Sequence, residues 1–106
     1  MGAQKNSPLT EAVFYILLSL YTPLHGYGIM QNVKKLTEGR LNIGAGTLYG
    51  ALNTLLSKGF ISVYSGDDPA KKEYIITQEG KSAVDTEILR LKELVANGEK
   101  ITGESK

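Results

Sequence analysis

A chain of 106 residues has room for one domain with a modest core, and so small a domain often gains stability by pairing with a copy of itself. Twelve basic and eleven acidic residues give a formal net charge of +1, so overall charge predicts neither an acidic partner nor its absence. The lack of cysteine excludes disulfides, thiol catalysis and cysteine metal sites. The longest apolar run, residues 12–18, is too short to cross a bilayer, which takes roughly 20 residues. No basic leader precedes that run, so the sequence predicts a soluble cytoplasmic protein.

The N-terminal part predicts an unstructured lead over residues 1–6 and then a helix. Ser7 suits the capping position and Pro8 the first helical position. Two apolar stripes follow helical spacing in this helix, one made of Val13, Ile16, Leu17 and Leu20, the other of Phe14, Leu18 and Tyr21. Two apolar faces need two surfaces to cover them. The helix is therefore either central to its own core or presents its second stripe to a partner subunit.

Two further helices are predicted next. The first runs from Gly26 to Thr37, with four apolar residues facing inward: Ile29, Met30, Val33 and Leu36. Residues 41–43 predict a very short strand. A third helix, which begins at a glycine-rich segment, follows. Its apolar side holds Leu48, Ala51, Leu52, Leu55 and Leu56, and its small, polar side holds Gly46, Gly50, Asn53, Thr54 and Ser57. The order of these elements predicts a helix-turn-helix.

Two β-rich runs follow, at residues 60–65 and 72–77, and the turn-forming residues 66–69 between them predict a hairpin. Ile61 and Val63 alternate on the first strand, as Tyr74 and Ile76 do on the second. The predicted fold class is mainly α with a small β-hairpin (α+β), a winged helix-turn-helix over residues 7–77 joined to a C-terminal dimerisation helix.

The last helix is predicted over residues 78–98, with Thr77 as its cap and Asn97 and Gly98 as its stop. Four apolar residues at coiled-coil-like spacing form a short seam: Val84, Ile88, Leu91 and Val95. The charged residues outside the seam are Glu87, Arg90, Lys92 and Glu93. Together with the second stripe of the first helix, the seam predicts a homodimer. The other interpretation is that the helix folds back on its own domain. Residues 99–106 predict a flexible tail.

Four blocks in this order resemble the PadR family of bacterial transcriptional regulators over residues 9–97. They are LHGYGI at residues 24–29, GTLYGAL at 46–52, KGFI at 58–61 and YIITQEG at 74–80. The resemblance implies a winged-helix dimer that represses genes. It places the third helix in the major groove, the hairpin near the backbone or minor groove, and the C-terminal helix at the dimer interface. The short segment after the hairpin is similar to the small subfamily with a single C-terminal helix, some of whose members bind flat, apolar or cationic drugs between the subunits.

The predicted contacts with a double-stranded DNA operator lie on the polar side of the third helix and near the hairpin. Asn53 is the candidate for direct readout, because its amide offers a paired donor and acceptor to adenine. The other candidates would contact the DNA backbone, either to position the protein or to neutralise phosphates: Thr47, Tyr49, Gly50, Thr54, Lys58, Lys71 and Lys72. For Tyr49, partial burial at the core edge is an equal interpretation. The third helix has no arginine, and Asp67 and Asp68 make the wing tip acidic, which predicts weak or salt-sensitive binding.

An effector site is predicted between the first and last helices, lined by Phe14, Leu18, Ile88 and Leu91. Its ligand would be a planar aromatic or apolar small molecule. The other interpretation is that these residues only pack the dimer. The drug-binding members of the family that this chain resembles use a tryptophan that this sequence lacks. Stacking by Phe14 or Tyr21 would replace it in part.

Enzymatic function is not expected. Residues 44–47 have the look of a phosphate-binding loop, but they lack the lysine of a nucleotide site. His25 is the only histidine and has no cysteine with which to share a metal, so no cofactor or metal is predicted. Two functions remain. One is a sequence-specific DNA-binding regulator, a repressor relieved by a small-molecule effector; the other is a winged-helix dimer that binds a protein or small molecule without reading DNA.

Overall fold

The computed structural model describes residues 7–68 and 70–103, and the predictions for residues 1–6 and 104–106 lie outside this part. The described elements, in chain order, are α1 (Glu11–Ser19), β1 (Leu24–His25), α2 (Gly26–Leu36), α3 (Ala45–Lys58), β2 (Ile61–Ser65), β3 (Glu73–Ile76) and α4 (Gln78–Thr102). Three helices, a hairpin and a long C-terminal helix confirm the predicted winged-helix fold class.

The sheet is antiparallel, with strand order β1-β3-β2. β2 and β3 form the predicted hairpin, in which Ile61 lies opposite Ile76, and an irregularity between Val63 and Ser65 shifts the register. β1 was not predicted; it pairs with the free edge of β3 through Leu24 and Tyr74. The strand predicted at residues 41–43 is wrong, because that segment pairs with no strand edge and instead contributes a buried Ile43 from an irregular connection.

α1 begins at Glu11, later than predicted, because Thr10 rather than Ser7 caps it. The Thr10 hydroxyl accepts a hydrogen bond from the Val13 N–H at 3.1 Å. A hydroxyl in that position satisfies one of the helix N–H groups that have no partner within the helix. Pro8 therefore precedes the helix.

α4 begins as predicted and ends later than predicted. The Thr77 hydroxyl accepts from the Gly80 N–H at 3.1 Å. At the other end, Gly98 stays helical, because a single interior glycine costs only about 1 kcal/mol relative to alanine. Gly103, in the left-handed conformation with φ 81°, ends the helix instead. The tail predicted from residue 99 is thus helical as far as Thr102.

The core lies where the first three helices meet the sheet and the first turns of α4. Its fully buried side chains are Ile16, Leu17, Leu20, Ile29, Val33, Leu48, Leu52 and Val84. Three residues of the first stripe of α1, Ile16, Leu17 and Leu20, therefore face the core of their own domain. Leu36, predicted to face inward, is 51% exposed, because it is the last residue of α2 and lies a full turn beyond the buried Val33.

α4 meets the rest of the domain at Gly80, where there is no room for a side chain. A Cβ at this position would lie 2.2 Å from the Phe60 carbonyl oxygen and 2.6 Å from a side-chain carbon of Ile76. The Phe60 carbonyl cannot move away freely, because it accepts a hydrogen bond from the Thr77 N–H at 2.9 Å. The glycine thus permits the close approach of α4 to the start of β2.

Gly80→Ala is expected to lower the free energy of unfolding by about 1–3 kcal/mol, the usual cost of overpacking. Gly98→Ala is the matched control on the same helix, since a Cβ added there would have no neighbouring atom within 4 Å. It is expected to stabilise the protein by about 0.5–1 kcal/mol through helix propensity. Urea denaturation of both variants checks the pair, and a Gly80→Ala protein as stable as the wild type would contradict the close approach.

Candidate nucleic-acid interface

α3 has one buried side and one exposed side, as the sequence predicted. Leu48, Leu52 and Leu55 are buried. The small and polar residues Gly46, Gly50, Asn53, Thr54 and Ser57 are all exposed or half-buried at the surface, as are Thr47 and Lys58. α3 contains no acidic residue. It therefore offers solvent a polar surface that lacks negative side chains.

The N-terminus of α3 has no side-chain cap. Its N-cap residue is Gly44, and residues 44–47 are exposed. By contrast, threonine hydroxyls cap both α1 and α4, through Thr10 and Thr77. The first N–H groups of a helix lack partners within the helix, and the helix dipole makes this end positive. The start of α3 is thus suited to an anion such as a phosphate group.

Tyr49 lies at the edge of this surface and is half-buried. Its phenol covers Gly26 at the start of α2, where a Cβ would lie 2.2 Å from the Tyr49 hydroxyl oxygen. Burial raises the pKa of Tyr74, and the nearby Tyr49 adds to this rise. The placement favours the packing interpretation of Tyr49, in which its ring fixes α3 against α2.

The predicted contacts on α3 and those on the hairpin lie on separate parts of the fold. Gly50, Thr54 and Lys58 follow one edge of α3, beside a groove of about 280 Å³ formed with the start of α1. The Lys58 ammonium nitrogen lies 5.9 Å from the centre of the Phe60 ring. On the wing, Lys71 is exposed and Lys72 is half-buried.

The wing tip carries charges of both signs. The Asp68 carboxylate accepts a hydrogen bond from the Ala70 N–H at 3.0 Å, and the Asp68 carbonyl accepts one from the Lys71 N–H at 2.8 Å. Asp68 is therefore a turn-forming residue, and it lies in the same turn as Lys71. Because of this mixed charge, the wing is a less favourable surface for a polyanion than α3 is.

The seam of α4 is buried at its start and exposed farther along. Val84 lies in the core of its own domain and Ile88 is half-buried against it. Leu91 is 36% exposed and Val95 57% exposed, beside a surface groove of about 350 Å³. The fold-back interpretation is thus correct for the first half of the seam, and the second half has no cover within the described chain.

The residues of the second stripe of α1 also lie in two different environments. Phe14 and Leu18 are half-buried against the core. Tyr21 is 41% exposed, and its ring centre lies 5.5 Å from the ammonium nitrogen of Lys81 on α4 of the same chain. Burial raises the pKa of Tyr21, and the charge of Asp85 adds to the rise. Tyr21 therefore contacts its own α4, a contact that the dimer prediction did not include.

Glu87 is the charged residue whose environment the sequence analysis missed. The sequence placed it among the positions outside the seam, and the structure shows that it is 4% exposed. Its carboxylate accepts hydrogen bonds from the Leu9 N–H at 3.3 Å and from the Arg90 side chain at 3.1 Å. The bond from Arg90 is the main cause that lowers the pKa of Glu87; burial opposes it and the Leu9 N–H reinforces it. The only signal in the sequence is the Glu-x-x-Arg spacing, which permits pairing on a helix.

Two further observations concern the described residues alone. Among residues 7–68 and 70–103, no three histidine, aspartate or glutamate side chains come together in a group that could hold a metal ion. Within the same ranges, none of the helices has both the length and the hydropathy needed to span a bilayer.

Comparison with known proteins places this geometry in a family. The model of the Transcriptional regulator PadR-like family matches residues 14–86. The chain belongs to the PadR family. Its members are transcriptional regulators, and the predicted resemblance is confirmed. A search of curated proteins found no match.

Solved structures agree with this assignment. A PadR-like transcription factor from Bacteroides fragilis is 31% identical, with 85% of this chain and 87% of that chain covered and a TM-score of 0.66. A PadR family transcriptional regulator from Eggerthella lenta is 26% identical, covering 89% and 82%, with a TM-score of 0.64. A PadR family regulator from a hypervirulent Clostridium difficile, at 21% identity, covers 88% and 99% with a TM-score of 0.70 and supports the fold alone.

The lowered pKa of Glu87 predicts a specific pH dependence of stability. A carboxyl group whose pKa falls on folding contributes stability above its ordinary pKa, near 4.5, and loses that contribution as the pH drops through the folded value. Between about pH 5 and pH 3, the free energy of unfolding should therefore fall more steeply in the wild type than in Glu87→Gln. Urea titrations at each pH measure this. Glu93→Gln, an exposed change on the same helix, should keep the wild-type slope; equal slopes in all three proteins would contradict the lowered pKa of Glu87 and the hydrogen bond from Arg90 that causes it.

Proposed function

We propose that this PadR family member is a sequence-specific DNA-binding regulator that represses transcription, with α3 in the major groove of its operator. The observation that carries the proposal is the exposed side of α3, which combines polar side chains, an uncapped N-terminus and the absence of acidic residues. A polar, non-acidic helix face is the kind of surface that fits between two phosphate backbones. A regulator of this kind would act on DNA in the cytoplasm.

Each exposed residue of α3 has a role that its chemistry supports. Asn53 is the direct reader, since its amide suits the paired donor and acceptor edge of adenine. Thr47 and the N–H groups at the start of α3 contact phosphate, and Thr54 and Gly50 let the backbone approach closely. Lys58 neutralises a phosphate at the far end of the helix.

The wing makes a smaller contribution. Lys71 and Lys72 neutralise phosphates beside the groove, while Asp67 and Asp68 at the tip oppose a close approach. With few cations and no arginine on α3, each cationic contact accounts for a large part of the electrostatic affinity. The proposed binding is therefore weak, and the loss of one cation removes a large share of its salt dependence.

The proposed regulator is a homodimer held by the exposed half of α4. Leu91 and Val95 continue the seam that Val84 and Ile88 begin, and an antiparallel or parallel partner helix would cover them. Phe14 and Leu18 lie half-buried on α1 and extend this apolar surface. A planar aromatic or apolar effector would bind between the two subunits, against Phe14, Leu18, Ile88 and Leu91, and would relieve repression by changing the distance between the α3 helices.

The double variant Leu91→Asp with Val95→Asp is expected to convert the dimer to a monomer, because it places charges at the centre of the interface. Both residues are exposed within the chain, so the helical content should stay at the wild-type level. Light scattering coupled to size-exclusion chromatography measures the mass, and circular dichroism measures the fold. Leu89→Asp, on an exposed position away from the seam, is the control and should remain dimeric. A double variant that stays dimeric would show that the seam is elsewhere.

Asn53→Ala is expected to reduce the preference for the natural duplex. A paired base contact is worth roughly 1–3 kcal/mol, so affinity for the chain's own promoter DNA should fall by about 5- to 150-fold, with little change for a scrambled duplex. Fluorescence anisotropy across a salt series measures both. Lys58→Ala should weaken both complexes and lower the log–log salt slope by about one.

The controls separate this function from the module that does not read DNA. Lys100→Ala removes the same charge from the far end of α4 and should leave affinity and slope at wild-type values. If the wild type binds its own and the scrambled DNA equally or not at all, the DNA-reading proposal is overturned in favour of a winged-helix dimer that binds a protein or small molecule.

A further inference from the structure

Glu87 joins α4 to the segment that leads into α1. It is the one buried charged side chain in the part of the chain that the structure describes. Both carboxylate oxygens accept hydrogen bonds: one from the Leu9 N–H and from Nε of Arg90, the other from Nη2 of Arg90. A buried carboxylate is costly unless its hydrogen bonds are made. The position of Glu87 relative to Leu9 is therefore strongly constrained.

The segment that receives Glu87 is itself held in place. Thr10, the next residue after Leu9, caps α1. Glu11 forms an ion pair with Arg40 in the connection between α2 and α3. Leu9 packs against the core. The Glu87 carboxylate is thus bonded to a segment that caps α1 and packs against the core of the winged-helix unit.

Hydrogen bonds of Thr77 fix the point where α4 begins, but the core contacts of α4 beyond its first turn have less directional character. Val84 and Ile88 pack against the core through apolar groups, and such contacts tolerate small rotations better than hydrogen bonds do. Residues 91–102 are all exposed, so packing beyond Arg90 does little to constrain the direction of the helix. From Glu87 to Lys100 the helix extends about 20 Å, so a rotation of about 10° at Glu87 moves its far end by about 3 Å.

We propose that Glu87 is a positioning residue that sets the direction of α4 on the winged-helix unit and, through the dimer, the spacing of operator half-sites that the two α3 helices accept. This rests on the proposed DNA-binding dimer. Half-sites on one face of B-DNA lie about 34–36 Å apart, so a displacement of a few ångströms shifts the register by roughly one base pair.

The natural lack of cysteine allows spin labels to be placed without background. Ser57→Cys on α3 and Lys100→Cys on α4 are both exposed, and one doubly labelled chain diluted with unlabelled protein gives the intrachain distance by pulsed electron paramagnetic resonance. The wild type should give one narrow distance distribution. Glu87→Met, which fills a similar volume but accepts no hydrogen bond from Leu9, should broaden or shift it by about 3 Å.

Glu87→Gln tests whether the hydrogen bond is the cause. Its amide oxygen still accepts from the Leu9 N–H, so the narrow distribution should return. Glu93→Met, on an exposed position of the same helix, should leave the distribution unchanged. If Glu87→Met lowers the melting temperature while the distribution stays narrow, Glu87 only stabilises the fold and the proposal is overturned. If Glu87→Met does not fold, Glu87→Ser takes its place, because its short side chain cannot reach the Leu9 N–H; the same broadening is expected, and an unchanged peak overturns the proposal.

The consequence for DNA is measured separately. Chains labelled only at Ser57→Cys report the distance between the two α3 helices, and a set of duplexes with altered half-site separation reports the accepted spacing. Glu87→Met should broaden the distribution of distances between the two α3 helices and reduce the discrimination between half-site spacings. Glu87→Gln should restore the narrow distribution and the discrimination. A wild type that binds no DNA but whose intrachain distance broadens in Glu87→Met contradicts the proposed function and keeps the positioning role. An intrachain distance that never changes contradicts the positioning role whatever the DNA result.

Discussion

The hydrogen bonds of Thr77 are the interaction on which the arrangement of this domain depends. The Thr77 hydroxyl donates to the Gly59 carbonyl at 2.6 Å and accepts from the Gly80 N–H, while the Thr77 N–H donates to the Phe60 carbonyl. One residue thus ends the sheet, caps α4 and holds the C-terminal end of α3. Gly59, with φ 78°, turns the chain out of α3 in the left-handed conformation that glycine adopts most easily. The end of α3 and the start of α4 are therefore fixed at the same point.

This joint explains why α3 can be polar on one side without loss of stability. Leu48, Leu52 and Leu55 are covered by the core, Thr77 holds the helix end, and the Tyr49 ring packs on Gly26 near its start. No side chain on the exposed side is needed to hold the helix. The exposed positions are therefore available for contacts outside the chain, which is the physical basis of the DNA-binding proposal.

α4 divides into two parts with different tasks. Its first turns are part of the domain core, through Val84 and the bonded carboxylate of Glu87. Beyond Arg90 it is exposed, although the apolar spacing of the seam continues through Leu91 and Val95. In the proposed dimer, such a helix would take its direction from its own subunit and the cover for its apolar side from the other. The α4 helix thus links any contact between subunits to the position of α3.

The sequence by itself determined the features that local signals specify. The spacing of Leu48, Leu52 and Leu55 predicted the two sides of α3, Thr77 was identified as a cap, and turn residues predicted the hairpin. These signals act within a few residues of the chain, and the family match agrees with their order.

Only the tertiary structure decided what depends on distant residues. β1 has two residues and is a strand only because the edge of β3 lies beside it. Glu87 and Glu93 both read as outer positions of α4, yet Glu87 alone is buried, because the segment before α1 passes over it. The sequence left two interpretations of Tyr49 open, and the contact of its ring with Gly26 favours packing. In each case the deciding contact joins residues far apart in the chain, and helical or strand periodicity carries no information about such a contact.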